Sequence, residues 1–408
     1  MPTPEHVPLK RSLGTVDAVT IGLGSMIGAG IFVALAPAAE AAGSWLLAGL
    51  AVAAVVAYCN ASSSARLAAR YPQSGGTYVY GRERLGEFWG HAAGWSFVVG
   101  KTASCAAMAL TVGYYAWPTH AHAVAVGVVV VLTAVNVVGV QRSVLLTRVI
   151  VAVVLAVLAM VVAVLLGSGR VDLERLEFGH FVGVGDVLQA AALLFFAFAG
   201  YARIATLGEE VRNPARTIPR AIPIALGVAL AVYAAVAIAL ISVMGSAALA
   251  SATAPLADAV AGYPGLVPVV RVGAVVAAVG ALLALILGVS RTTLAMARDR
   301  QLPHALAAVH PRFDSPYRAE VAVGFVVAVL AAFVDVRGAI GFSSFTVLLY
   351  YAITNAAAFT LGRRVIPVFG FVGCAVLAFA LPLASVLTGA GVVIAGAAAY
   401  LLRRANGN

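Results

Sequence analysis

The chain has 408 residues, 62% of them hydrophobic and 10% charged, with a formal net charge of +10. A typical soluble protein is roughly 45–50% apolar and about 25% charged, and a water-soluble fold has no place to hide the excess. Composition therefore excludes a soluble protein and predicts an integral membrane protein. It is expected to be all-α, because the apolar stretches are long Ala/Val/Leu runs and not alternating ten-residue strands.

At about 20 residues per crossing, about twelve transmembrane helices are expected. They fall near 16–39, 45–66, 88–116, 121–140, 146–167, 186–208, 218–244, 266–294, 319–334, 338–361, 365–381 and 384–402. The first apolar run is already a full span, so a cleavable signal peptide is not expected. Of the 26 basic residues, 24 are Arg, set singly or in pairs in alternate loops. With Lys10 and Arg11 inside, inner loops and tails hold twenty basic residues and outer loops three, Arg170, Arg175 and Arg337. That bias predicts a multi-pass protein of the cell membrane with both termini cytoplasmic. It also accounts for the positive charge without nucleic acid as a partner.

Two spans are irregular. The first reads Ile21-Gly-Leu-Gly-Ser-Met-Ile-Gly-Ala-Gly-Ile-Phe32, and the sixth reads Phe195-Phe-Ala-Phe-Ala-Gly-Tyr-Ala-Arg203 followed by Glu209-Glu210-Val-Arg-Asn-Pro214. Interrupted segments at matching places in two halves point to an inverted repeat with its binding site near the midplane. Lipid tolerates non-helical backbone only where protein or a water-filled cavity satisfies its polar groups. Gly24 and Gly28 also fit the spacing by which membrane helices pack closely. The density of glycine and the counterpart in span six favour a break.

Other patterns are decoys. Gly22, Gly24 and Gly28 miss the dinucleotide spacing by one residue and lie in a membrane span, and Gly94 to Gly100-Lys101-Thr102 misses the phosphate-loop spacing. Cys59, Cys105 and Cys374 share neither a disulfide framework nor metal-ligand spacing. His120 and His122 have no carboxylate or cysteine nearby to complete a metal set. No enzyme, cofactor or metal is expected.

An ionisable side chain near the bilayer centre costs on the order of 3 kcal/mol, so it tends to be paired or functional. Lys101 lies midway along span three, too deep to snorkel, and should face the protein interior for coupling, substrate binding or structural anchoring. Arg203 follows the presumed break in span six and would line the cavity or pair with Asp17, Glu209 or Glu210. Seven residues separate Arg203 from Glu210, a poor spacing for a bridge within one helix. Asp17 and Glu40, near the ends of span one, are read as interfacial and solvated. No carboxylate occupies the central portion of a span, which favours neutral over cationic substrates.

These residues resemble the amino acid–polyamine–organocation superfamily of secondary transporters. Gly24-Ser-Met-Ile-Gly-Ala-Gly-Ile-Phe32 resembles its GSxxGxGIF. Arg70-Tyr-Pro-Gln-Ser-Gly-Gly-Thr-Tyr78 is similar to its segment between spans two and three. Phe195 to Ile222, with Gly208-Glu-Glu-Val-Arg-Asn-Pro-Ala-Arg-Thr-Ile-Pro-Arg220, resembles its sixth span and loop. The resemblance implies a leucine-transporter-type fold with broken helices 1 and 6. Its parts would be a tail at 1–15, a first five-span repeat at 16–167, a second at 168–361, and two trailing spans with a short tail at 362–408. It implies alternating access for an amino acid or related amine.

On that reading, backbone N–H groups and a half-helix N-terminus from Ser25, Met26 and Ile27 to Gly28, Ala29 and Gly30 would hold the substrate carboxylate. Carbonyls from Phe196 to Ala199 and Gly200 would hold its ammonium, and Phe196, Phe198 and Tyr201 would enclose its side chain. Two departures stand out: Gly200-Tyr201-Ala202 lacks the acid that many relatives carry there, and span five has no Lys. Lys101 is therefore the candidate titratable group if protons are co-substrates, with Arg203 the candidate gate. The expected function is transport of neutral amino acids by proton symport or exchange. A cationic amino acid or polyamine carrier, or a non-transporting nutrient receptor, are the alternatives, and the oligomeric state is left open.

Overall fold

The computed structural model describes residues 13–71, 75–139, 144–178, 182–205, 207, 210–313 and 315–405. Lys10, Arg11, Pro72 to Ser74, Arg142, Gly208 and Glu209, with most of the N-terminal tail, lie outside the described residues. The described chain is all-α, apart from one isolated parallel bridge between Leu13 and Val211.

The helices run α1 (Thr15–Met26), α2 (Ala29–Val33), α3 (Leu35–Ala42), α4 (Leu46–Arg70), α5 (Thr77–Leu85) and α6 (Glu87–Ala116). Next come α7 (Ala121–Val137), α8 (Val144–Leu166), α9 (Val184–Phe198), α10 (Ala202–Ala205), α11 (Pro214–Met244), α12 (Ser246–Ser251) and α13 (Pro255–Ala259). The last five are α14 (Val267–Arg298), α15 (Tyr317–Phe333), α16 (Val336–Phe359), α17 (Val365–Ala380) and α18 (Leu383–Ala405). Taking α1 with α2, and α9 with α10, ten stretches among the described residues are long and apolar enough to cross a membrane. The expected ninth and eleventh spans form α15 and α17, of 17 and 16 residues.

Each long helix satisfies its own backbone, as hydrocarbon requires, and its ends carry recognisable stops. Gly245, at φ 78°, closes α11 in a left-handed conformation that favours glycine. Asp335 caps α16 by accepting from the Arg337 and Gly338 amides at 2.8 and 2.9 Å. Burial then sorts the helices. The most apolar window of α6 is 78% buried and that of α16 is 72%, whereas that of α18 is only 17%. α6 and α16 therefore form the centre, packed on each other and on α14, α4 and α9. α18 presents Leu383, Leu387 and Ile394 outward, the dressing of a lipid-facing helix.

The centre is fastened by polar contacts buried among small residues. Ser63 donates to Asn355 Oδ1 at 2.6 Å, Asn355 Nδ2 donates to Asn60 Oδ1 at 2.6 Å, and Cys374 Sγ lies 3.2 Å from the same oxygen. This ties α4, α16 and α17 together. Nearer the middle, the hydroxyls of Ser104 on α6 and Ser343 on α16 lie 2.6 Å apart.

Candidate functional site

Both expected interruptions are present. α1 ends at Met26, Ile27 takes φ −81°, ψ 53°, Gly28 takes φ −104°, ψ −138°, and the helix restarts at Ala29. α9 ends at Phe198, passes through a single 3-10 turn of Ala199, Gly200 and Tyr201, and resumes as the four-residue α10. The two breaks touch. A Cβ on Gly200 would overlap the Ser25 carbonyl, and one on Gly30 would stand 2.7 Å from Ala197 Cα. Backbone thus meets backbone, an approach only glycine allows here. Gly28 makes a similar approach to α14, where a Cβ would stand 2.7 Å from that of Ala281.

A residue not singled out from sequence completes the crossing. The Tyr233 hydroxyl, on α11, lies 2.6 Å from the Met26 carbonyl oxygen and 3.0 Å from that of Ala197, so one proton serves both broken helices. Its ring carries Phe198 edge-on at 5.1 Å. Its only sequence signal is a hydroxyl amid the apolar run from Ala221 to Ile241. Ser25 Oγ donates back to Ile21 within α1 at 3.0 Å and is not turned toward the break.

Lys101 is buried, with 6% of its surface exposed. Its ammonium donates to the Ala199 carbonyl at 3.3 Å, so α6 reaches directly into the break of span six. The Tyr351 hydroxyl lies 3.5 Å from the same oxygen. Tyr351 in turn packs against Tyr201 at 5.1 Å, with Asn60 beside the Tyr201 hydroxyl. Phe198 faces Tyr233, Tyr201 faces Tyr351, and no ring contact joins Phe196, Phe198 and Tyr201 to one another.

Among the charges near the helix ends, the readings of Asp17 and Glu40 as merely solvated are corrected. Arg203 does pair with Glu210, at 3.7 Å; the spacing that is poor within one helix works because α10 stops at Ala205 and the chain turns back. Asp17 is not merely solvated: it accepts from the Gly14 amide at 2.9 Å and pairs with Arg148 on α8. Glu40 pairs with Arg337, whose guanidinium also reaches the Ala250 carbonyl. Glu320, placed by its sequence position at the interface end of a span, is fully buried, and both its carboxylate oxygens lack a hydrogen-bond partner.

The contacts separate into two ends. Asp17–Arg148 and Arg82–Asp299 lie at the end that holds the termini, together with the Leu13–Val211 bridge and the contact of Arg403 with the Gln301 carbonyl. Glu40–Arg337 lies at the other end, with Arg175 on the Val243 carbonyl and α13 held over the bundle by Leu256 N–H on the Tyr115 hydroxyl at 3.3 Å.

The sequence profile of the family described as "Amino acid permease" matches residues 13–402. The chain belongs to that family. This permease is 70% identical over 411 residues to an uncharacterized transporter of Mycobacterium tuberculosis, covering 98% of this chain and 93% of the relative. It is 29% identical to a methylthioribose transporter of Bacillus subtilis (80% and 76% covered) and 29% identical to cationic amino acid transporter 4 of Homo sapiens (84% and 58% covered). The permease is thus a multi-pass membrane protein of a transporter family and not an enzyme, and among the described residues no His/Cys/Asp/Glu group could hold a metal ion.

Proposed function

We propose that this permease carries a neutral amino acid across the cell membrane by alternating access, using the crossing of its two broken helices as the substrate site. The observation that carries the reading is the contact of Gly200 with the Ser25 carbonyl and of Gly30 with Ala197. It brings the start of one half-helix and the end of another to a single point, a pairing that supports recognition of a carboxylate and an ammonium in one small molecule. α2 runs on into α3 through Ala34, so the first-turn amides of Ala29 and Gly30 head a continuous stretch with no side-chain cap. Phe196, Ala199 and Gly200 supply the facing carbonyls. A pair of five-span repeats, 16–167 and 168–361, with the termini in the cytoplasm, is the topology that goes with this reading.

Lys101 is assigned to coupling. Its ammonium occupies the Ala199 carbonyl that the substrate ammonium would seek, so binding and the Lys101 contact compete. A group placed in that way links substrate occupancy to its own charge, which suits either proton symport or exchange. Arg203, paired with Glu210 beyond the break, is assigned to the gate at the terminal end.

A cationic substrate is the second reading, and one observation favours it: a cationic amino acid transporter is as similar in sequence as the methylthioribose transporter. Against it stands Lys101, a like charge at the crossing. Counterflow in proteoliposomes separates the two. Vesicles loaded with single amino acids take up a labelled mixture, and stimulation by alanine or leucine supports the neutral reading. Stimulation confined to lysine, arginine or polyamines replaces it with the cationic one. No stimulation from any of them, with the protein shown to be folded, overturns carriage of these substrates and leaves a receptor.

A further inference from the structure

Away from the broken helices, at the end opposite the termini, α13 and the first turns of α14 line an open surface hollow of about 400 Å³, with Asp258 exposed at its edge. Binding sites for small molecules commonly have volumes in this range. Its walls include Ala261, Pro264, Val267 and Pro268, and two charged groups, Asp258 and Arg271, face the same space.

Opposite charges that share a cavity usually close on each other. Here they do not. No ion pair joins Asp258 to Arg271, although the guanidinium is near enough to act on the carboxylate. Arg271 Nε is buried without a hydrogen-bond partner. An N–H buried without an acceptor leaves a costly demand unmet, and that of Arg271 Nε lies in the second turn of α14. The cavity therefore offers an unsatisfied donor for an anion beside an acceptor for a cation, over an apolar floor.

We propose that this cavity is a second binding site, for a small zwitterion of the α-amino acid class. The ligand's carboxylate would take the planar fork of Arg271, its ammonium would take Asp258, and its side chain would lie on Pro264, Val267 and Pro268. A simple anion would satisfy Arg271 while setting a negative charge beside Asp258, and a simple amine would do the reverse. Only a molecule that bears both groups leaves neither charge uncompensated. The identity of the ligand as an amino acid rests on the transport reading above. The site is separate from the crossing: none of its lining residues belongs to the broken helices.

The test uses Ala261, an exposed wall residue, in the full chain reconstituted in nanodiscs. Cys59, Cys105 and Cys374 are buried, so Ala261→Cys supplies a reporter for a membrane-impermeant maleimide. Leucine at ten times its Kd should slow modification about tenfold by simple occupancy. Leucine without its ammonium (4-methylpentanoate) and without its carboxylate (3-methylbutylamine) should not slow it. Added Asp258→Asn or Arg271→Gln should abolish protection, and Arg271→Lys should weaken it, in protein whose folding is checked by gel filtration. Protection by either single-charge analogue overturns the zwitterion assignment. So does leucine protection that survives both substitutions, which would mark an effect relayed from the crossing. Absence of protection by alanine, leucine and lysine overturns the site alone if counterflow persists. If counterflow fails as well, the amino acid reading falls with it.

Discussion

The ammonium of Lys101 is bound to the carbonyl of Ala199, 3.3 Å away, so the central helix of the bundle holds the break of the sixth span by its backbone. A charge-assisted hydrogen bond of this kind contributes about 1.5–3 kcal/mol, while taking an ammonium out of water costs several. The contact is therefore a poor device for stability and a good one for switching. Lys101→Met and Lys101→Gln should leave thermal stability in detergent unchanged or raised. They should lower counterflow by on the order of tenfold and remove its dependence on pH. Unaltered counterflow and pH profile in both variants would contradict the coupling role.

The crossing of the broken helices sets a steric prediction with internal controls. Gly200→Ala and Gly30→Ala insert a methyl group against backbone, which cannot swing aside. Overpacking of this sort costs about 1–3 kcal/mol, and counterflow should fall at least about tenfold. At Gly127, Gly227 and Gly288 a Cβ would meet nothing within 4 Å, and alanine there should leave uptake within about twofold of the parent.

Tyr233 offers a stability test. Tyr233→Phe keeps the ring that supports Phe198 and deletes the hydroxyl shared by Met26 and Ala197. Leaving buried carbonyls unpaired costs about 1–3 kcal/mol, so the midpoint of thermal unfolding in detergent should drop by several degrees. An unchanged midpoint would show that water replaces the hydroxyl.

The two ends should respond oppositely to loss of their ion pairs. Asp17→Asn frees α1 from Arg148, and Glu40→Gln frees α3 from Arg337. Exposed pairs are worth about 0–1 kcal/mol, enough to shift a conformational ratio about fivefold at most. Single-cysteine accessibility should rise at the terminal end in the first variant and at the far end in the second. A rise at the same end in both would refute separate fastening.

Much of this architecture is written in local pattern. Apolar runs must be helices in lipid, and a burst of glycine in one such run, matched five spans later by Phe-Ala-Gly-Tyr, marks the two breaks before any coordinates exist. Lys101 is legible too, since a lone ammonium deep in an apolar helix has to find protein. What pattern does not disclose is partnership across the bundle. Nothing in the neighbourhood of Tyr233 says that its hydroxyl reaches two carbonyls from other spans. Glu320 stands at the start of its span, where an interfacial position is expected, yet it is fully buried. Asp258 and Arg271 lie thirteen positions apart and acquire a common cavity only when α13 folds over the head of α14. The pairing of Phe198 with Tyr233 and of Tyr201 with Tyr351 has the same origin.

The double fastening of the bundle also bears on how the molecule would respond to inhibitors. With α1 latched to α8 at one end and α3 latched to α16 at the other, each end of the bundle carries its own fastening. A compound that wedges under one latch would trap the carrier facing that side and deny the opposite mouth its turn. The same polypeptide should therefore accept two chemically distinct blockers, one per membrane face, and each should exclude the other without sharing a single contact.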